Sequence, residues 1–446
     1  MRSLPCHAPM TPKKNLILLL LLLTVQLNLS AQSSRPNIIY IMTDDMGYAD
    51  LSCYGRKDYS TPNMDKLASQ GVKFVNAYAG APICSPTRVS FMTGRYPARA
   101  EVGLYEPLRG RNRKDSLVGL THKDPSIATL LKNAGYETAL IGKWHLGFIP
   151  EHGPNANGFD EFYGFHSGAL DYVSHVAPTR KPDLFHNSTP VKRQGYITDI
   201  LTEQAVQFIS KKHSKPFFLS LQFSAPHWPW QGPGDRAYPD TLELRLGGSP
   251  PVYKAMMESL DSAVGVVLKA VDDARVSQNT LIIFTSDNGG EKYSDMGIYS
   301  GAKAQLQDGG IRVPAFIRWP AKIKPNLVTT QVAITMDWTA TILAAANAKS
   351  DPAFPLDGKN LLPVCTGGMQ PFDRTFYWRT FQVGNQKAMR DGNWKYLATD
   401  RGEFLFDLAA DPSEKNNLRE QSPEIFRQLQ LKYSEWEKTV LKPIPL

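Results

Sequence analysis

Cysteine is scarce in this chain: four in 446 residues. Cys6 lies in an N-terminal segment with the marks of a signal peptide, which leaves Cys53, Cys84 and Cys365. Three thiols cannot staple a protein of this size, and an odd number leaves one unpaired in an oxidising compartment. One of them therefore has a task other than a disulfide, and whether Cys53 and Cys365 pair stays open. Long apolar runs are equally scarce. The one present, Leu16 to Val25, follows Arg2, Lys13 and Lys14 and fades through Asn28 to the small residue Ala31. A basic start, a short apolar middle and a small-residue exit describe a secretory signal over residues 1–31. The run is shorter than the roughly 20 residues a transmembrane helix needs, although an uncleaved anchor is the alternative. The mature chain from Gln32 is expected to be exported, periplasmic or secreted, with no stable membrane insertion once the signal is cut.

A strong charge imbalance is also lacking. The formal net charge is +8, and three of those positives belong to the signal. A remainder this small excludes a nucleic-acid partner as the leading reading and leaves a mild preference for anionic substrates. The 9 histidines form no closely spaced zinc-type cluster. There is no internal repeat, and hydrophobic residues at 42% with charged residues at 21% exclude disorder, collagen and coiled coil. The length allows two or three domains, or one large α/β domain with an appendage.

What is present alternates. Asn37–Met42, Glu137–Ile141, Phe217–Phe223 and Thr280–Phe284 read as buried strands, because they are continuous apolar runs rich in β-branched and aromatic residues. Helices lie between them. One opens at Thr61-Pro62 and stops at Gly71; others are expected over Ser126–Ala134, Val252–Ala274 and Ala333–Ala346. After about Cys365 the texture changes. Thr375–Phe381, Gln386–Arg390, Trp394–Leu397 and Phe404–Asp407 read as short strands, with hairpin turns at Asp391-Gly392 and Arg401-Gly402 and a closing helix from Ser422-Pro423. The expected organisation is a signal (1–31), an α/β domain (32–365) and a small C-terminal antiparallel subdomain with a terminal helix (366–446).

In α/β sheets ligands bind beyond the carboxyl ends of the strands. The four buried strands run into Asp44-Asp45, Lys143-Trp144-His145, Pro226-His227 and Asp287-Asn288. Four strands ending in ionisable groups point to one shared site. Asp44, Asp45, Asp287 and Asn288 are oxygen donors suited to Ca²⁺ or Mg²⁺, although either pair alone also suits a turn cap. Lys143 and His145 are alternate residues of an extended segment and point the same way. Cys84 lies one helical turn before Arg88, near the start of a helix running to Met92, where a thiol could have a lowered pKa. A thiol phosphatase would want a longer loop between the two and has no use for an acidic metal site; a buried inert cysteine is the bland alternative.

Cys84-Ser85-Pro86-Thr87-Arg88, followed by Thr93-Gly94-Arg95, resembles the C-x-P-x-R signature of the type I, formylglycine-dependent sulfatases of the alkaline phosphatase superfamily, the group of the arylsulfatases and N-acetylgalactosamine-6-sulfatases. The resemblance extends to Pro36-Asn37-Ile38, Gly142 to Gly147, Pro226-His227, Ser286 to Gly289, Gly301-Ala302-Lys303 and Gly309 to Pro314. Thr87 and Asp308 depart from it, standing where serine and glutamate are commoner. The resemblance implies an alkaline-phosphatase-like α/β fold with a mostly parallel sheet. It implies that Asp44, Asp45, Asp287 and Asn288 hold one Ca²⁺, with Cys84, converted by a formylglycine-generating enzyme to an aldehyde, as a further ligand. By the same resemblance the hydrated aldehyde would attack sulfur, Arg88 and His145 would orient and activate it, Lys143 and Lys303 would neutralise sulfate oxygens, and His227, with Lys303, would assist the departing alcohol. The expected substrate is a sulfate monoester on a carbohydrate, or an aryl sulfate. A phosphodiester or phosphonate hydrolase on the same scaffold, or a secreted glycan-binding protein with an inactive site, are the alternatives.

Weaker signals remain. Trp228 and Trp230 suit either a sugar-stacking platform or the core. Arg109, Arg111, Arg113 and Lys114 form a basic run at the expected site entrance. His166, Asp171 and His175 are expected to line the substrate pocket, and Asn187-Ser188-Thr189 matches a glycosylation sequon.

Overall fold

The strands that carry the sequence signals sit side by side at the centre of a ten-stranded sheet. The computed structural model describes residues 35–110, 117–238 and 247–444; the signal-peptide reading and Arg111, Arg113 and Lys114 lie outside the described residues. The strands are β1 (Asn37–Thr43), β2 (Val72–Phe74), β3 (Ala77–Tyr78), β4 (Glu137–Lys143), β5 (Glu161–Phe165), β6 (Phe185–His186), β7 (Thr189–Pro190) and β8 (Phe217–Gln222). They continue as β9 (Thr280–Ser286), β10 (Ala315–Arg318), β11 (Leu327–Thr329) and β12 (Ala333–Ile334). The main sheet runs β11-β2-β10-β9-β1-β8-β4-β5-β6-β7. Its centre, β9-β1-β8-β4-β5, is parallel throughout, while β10 and β6 join antiparallel.

Register decides where the chemistry lands. Thr43 pairs with Ser286, Met42 with Gln222, and Gln222 with Gly142. The central strands therefore end level, and the residues that follow them emerge in one row.

Both faces of the centre are covered, as a parallel sheet requires. Ile39 and Ile41 of β1 face helices α1 (Pro62–Ser69), α4 (Ile197–Ser210) and α5 (Pro250–Asp273), with Met64, Leu201 and Met256 in that core. Ile38, Tyr40 and Met42 face the opposite way, onto α2 (Cys84–Thr93), α3 (Ile127–Asn133) and α6 (Thr335–Ala345), with Phe91, Leu131 and Trp338. This is the period of two expected of a strand. The helix expected from Ala333 starts two residues later, because Ala333 and Ile334 pair with Ala77 and Tyr78, and Asp337 receives the Ile334 N–H at 2.9 Å.

Past residue 365 a separate four-stranded antiparallel sheet follows: β13 (Thr375–Thr380), β14 (Gln386–Asp391), β15 (Trp394–Thr399) and β16 (Gly402–Asp407). Its two-residue loops fall at Gly392-Asn393 and Asp400-Arg401, one residue from the expected turns. One face carries α7 (Pro423–Glu437), with Tyr377 stacked on Trp436 at 4.9 Å. The other faces the α/β layer, where Trp378 Nε1–H donates to the Ala79 carbonyl at 2.8 Å. From Pro36 onward the chain forms one compact unit.

Candidate active site

The ends of β1 and β9 are stitched together. Asp287 N–H donates to the Thr43 carbonyl at 3.1 Å, and Asp45 N–H to Asp287 Oδ1 at 3.2 Å. Asp45 takes φ of +62°, which swings its side chain out of the strand direction. Asn288 Nδ2 donates to Asp45 Oδ1 at 2.7 Å. Two buried oxygens, Asp44 Oδ1 and Asn288 Oδ1, make no hydrogen bond. Buried acceptors left this way are costly, and a set of carboxylate and amide oxygens is what a hard divalent cation takes. The residues present fit such an ion. Asp44, Asp45, Cys84 and His227 each offer a ligand atom within 4.8 Å of the others. His227 thus joins a group that the sequence reading had built without it.

Cys84 is the first residue of α2, with Ile83 as the preceding cap and every residue of the helix buried. Burial pushes its thiol well up, against the pull of Lys143 and Lys303. That direction runs against the lowered pKa which a helix-terminal position suggests from sequence. One turn on, Arg88 is buried, its Nη1–H donating to Gln222 Oε1 at 2.7 Å and its Nη2–H to Asp287 Oδ2 at 3.0 Å. Burial works against the charge on Arg88, but Asp287 and Asp44 restore it and hold its pKa above the ordinary value. Gln222, the last residue of β8, was missed from sequence.

Lys143 and Lys303 approach from two sides. Lys143 Nζ donates to Asp44 Oδ2 at 2.5 Å and Lys303 Nζ to Asp45 Oδ2 at 2.6 Å. Burial and then Asp287 push Asp44 up; burial carries Asp45 to about 6 against the pull of Lys303. Burial also works on Asp287, but Arg88 and Lys143 hold its carboxyl below the ordinary range. Three carboxylates face three cations, so a divalent cation added here would leave net positive charge for an anionic ester.

Both histidines have defined tautomers, because each faces a carbonyl that can only accept. His145 Nε2–H donates to the Leu108 carbonyl at 2.8 Å, leaving Nδ1 buried and without a hydrogen bond. His227 Nδ1–H donates to the Trp228 carbonyl, and its Nε2 lies 3.6 Å from Asp45 Oδ2. Burial, then Lys143 and Arg88, hold His145 well below the imidazole range; burial, then Lys303 and Lys143, do the same to His227. Trp144 points the other way from Lys143 and His145, its Nε1–H donating to the His152 carbonyl at 2.8 Å.

The weaker signals fall as follows. Trp228 and Trp230 are buried rather than open to a sugar, Trp230 packing edge-on against Tyr293 at 4.9 Å. Asp171 is a buried turn-former, accepting from the Val173 and Ser174 N–H groups and from Gln231 Nε2. His175 pairs with the Gly195 carbonyl, and His166 packs against Phe162 and Phe185. Arg109 is exposed and directly follows Leu108. Thr87 donates to the Ala81 carbonyl at 2.9 Å, and Asp308 is taken up by Lys395 and Arg312. Cys53, Cys84 and Cys365 are all free thiols.

A mostly parallel sheet brings carboxylate and amide oxygens, the helix-terminal residue 84 and three cations to one point, an arrangement suited to a hydrolase of anionic esters. The family model for sulfatases matches residues 36–348, and one described as the N-sulphoglucosamine sulphohydrolase C-terminal region matches residues 298–439. N-acetylgalactosamine-6-O-sulfatase of Bacteroides thetaiotaomicron is 31% identical, aligned over 91% of this chain and 94% of its own. Human N-acetylgalactosamine-6-sulfatase is 32% identical over 78% of this chain and 69% of its own. The crystal structure of Ps i-CgsB in complex with k-i-k-neocarrahexaose superposes with a TM-score of 0.83 at 32% identity, covering 92% of this chain and 94% of that one. The chain belongs to the sulfatase family of the alkaline phosphatase superfamily, and is a sulfuric ester hydrolase. No helix among the described residues is long and apolar enough to cross a membrane.

Proposed function

We propose that the protein is an exported carbohydrate sulfatase that works through formylglycine at position 84 and one calcium ion. The observation that carries this reading is the meeting of Cys84 with Asp44, Asp45 and His227 within 4.8 Å. Relatives named N-acetylgalactosamine-6-sulfatases, and a neighbour in complex with k-i-k-neocarrahexaose, support a sugar as the alcohol. The catalytic domain, 32–365, and the C-terminal subdomain, 366–446, would follow a cleaved signal, and a formylglycine-generating enzyme would be the maturation partner.

Calcium held by Asp44, Asp45, Asp287 and Asn288 would polarise a sulfate oxygen, and the hydrated aldehyde of residue 84 would supply the attacking hydroxyl. The chain's own residues do the rest. Lys143 and Lys303 neutralise sulfate oxygens, and Arg88, fixed by Gln222 and Asp287, orients residue 84. His145, neutral with its Nδ1 lone pair free, takes a proton from residue 84. At rest Lys303 carries a proton: burial works against its charge, but Asp45 holds its pKa up. His227 is held neutral, and the negative charge of a bound sulfate ester draws its pKa back up. Together the pair supplies the proton to the leaving alcohol.

The test uses protein from a host that performs the conversion. Peptide mass spectrometry should show an aldehyde in place of the Cys84 thiol, with inorganic sulfate released from a sulfated monosaccharide or oligosaccharide. Cys84→Ala should abolish turnover at unchanged melting temperature. Fully active protein carrying an unmodified thiol, or faster turnover of phosphate diesters than of any sulfate ester, would overturn the proposal.

A further inference from the structure

Lys303 reaches the site from a loop that the main sheet does not hold alone. On the sheet side, Lys303 N–H donates to the Gly290 carbonyl at 2.9 Å, Ala304 N–H to the Pro82 carbonyl at 2.8 Å, and Gly289 N–H to the Gly310 carbonyl at 2.9 Å. Those contacts tie residues 301–310 to the turn before Cys84 and to the turn after Asp287. The opposite side of the loop is held from the C-terminal sheet. Lys395 of β15 sends Nζ to Asp308 Oδ1 at 2.7 Å and lies 2.7 Å from Glu414 Oε1. Glu414 Oε2 accepts the Asp308 N–H at 2.5 Å. Gln386 of β14 accepts the Leu306 N–H at 3.0 Å and donates to the Ala304 carbonyl at 2.8 Å. Asp308, Lys395 and Glu414 are all buried.

Buried charges of this kind contribute little net stability, but they hold one geometry firmly and are costly to break singly. Here the geometry they hold is that of the segment beside Lys303. We propose that Lys395, Glu414 and Gln386 are positioning residues for Lys303, so that the C-terminal sheet sets the place of an active-site cation it never touches. This also gives Asp308, a departure from the sulfatase pattern, a partner outside the α/β layer. The inference rests on the reading of Lys303 as a sulfate-neutralising group.

A double-mutant cycle on full-length, maturated enzyme tests it. Removing Lys395 alone would strand two buried carboxylates, so the clamp is removed as the neutral pair Lys395→Met with Glu414→Gln, leaving Asp308 on Arg312 at 3.1 Å. Should that pair fail to fold, Gln386→Leu removes both loop hydrogen bonds at similar bulk and enters the same cycle. In the Lys303 background the clamp variant should lose about tenfold or more in kcat/KM on an aryl sulfate. In the Lys303→Ala background it should lose less than about twofold, because its effect passes through a side chain no longer there. Equal losses in both backgrounds, or no loss in either, would overturn the inference and make the cluster merely structural. Lys303→Ala without effect would overturn the reading of Lys303, and this inference with it.

Discussion

At the scale of single residues the site is as much a matter of missing atoms as of placed ones. A Cβ on Gly168 would lie 2.4 Å from His145 Cε1 and 2.6 Å from its Nε2, so a side chain there displaces the imidazole from the Leu108 carbonyl. Nothing in the sequence marks Gly168, since its constraint comes from a ring that only the fold brings near. Gly168→Ala is expected to lower kcat about 10²-fold, the cost of roughly 1 Å of misplacement. Steady-state kinetics checks this, and a melting temperature within a few degrees of the parent's separates it from unfolding. Full activity in that variant would show that His145 has no fixed station. The tautomers were equally hidden, because each depends on one backbone carbonyl, at Leu108 or at Trp228.

At the scale of elements, legibility follows burial. The four central strands could be read because strands covered on both faces are unbroken apolar runs, and the polar residues after them were legible for the same reason. β2, β10 and β11 were not readable, being three or four residues long, with Lys73 in β2 and Arg318 in β10 breaking the apolar runs. Trp228 and Trp230 left two readings open in the sequence, because an aromatic beside a site residue packs into the core as readily as it faces a ligand, and both are buried. The level ends of β1 and β9 crowd Asp44, Asp45 and Asp287, and a bound cation relieves that crowding in the folded state alone. Exhaustive chelation should abolish sulfate release. It should also lower the melting temperature by about 5 °C relative to protein with calcium at a hundred times its Kd, and calcium should restore both. Unchanged melting and activity, with no metal by elemental analysis, would refute the metal assignment.

At the scale of the whole molecule, the C-terminal sheet and the α/β layer meet through buried charge, and that junction carries its own pH dependence. Burial, opposed by Lys395 and aided by Asp308, raises Glu414 from its ordinary 4.5 to about 7. A raised carboxyl favours the folded state while protonated, so its contribution is complete below about pH 4.5 and is lost as the pH climbs through about 7. Glu414→Gln should therefore flatten the fall in melting temperature between pH 5 and 8; an unaltered slope would place the titration elsewhere. The other global feature is the helix at Cys84, whose ten residues are all buried, with Cys84 itself only 2% exposed. A second enzyme cannot close its own catalytic groups around a thiol enclosed at the buried head of that helix. The proposed oxidation of Cys84 is thus a race against folding, decided while the chain is still open. Protein folded with the thiol intact should resist later conversion, and gain the aldehyde only when unfolded, exposed to the maturation enzyme and folded again.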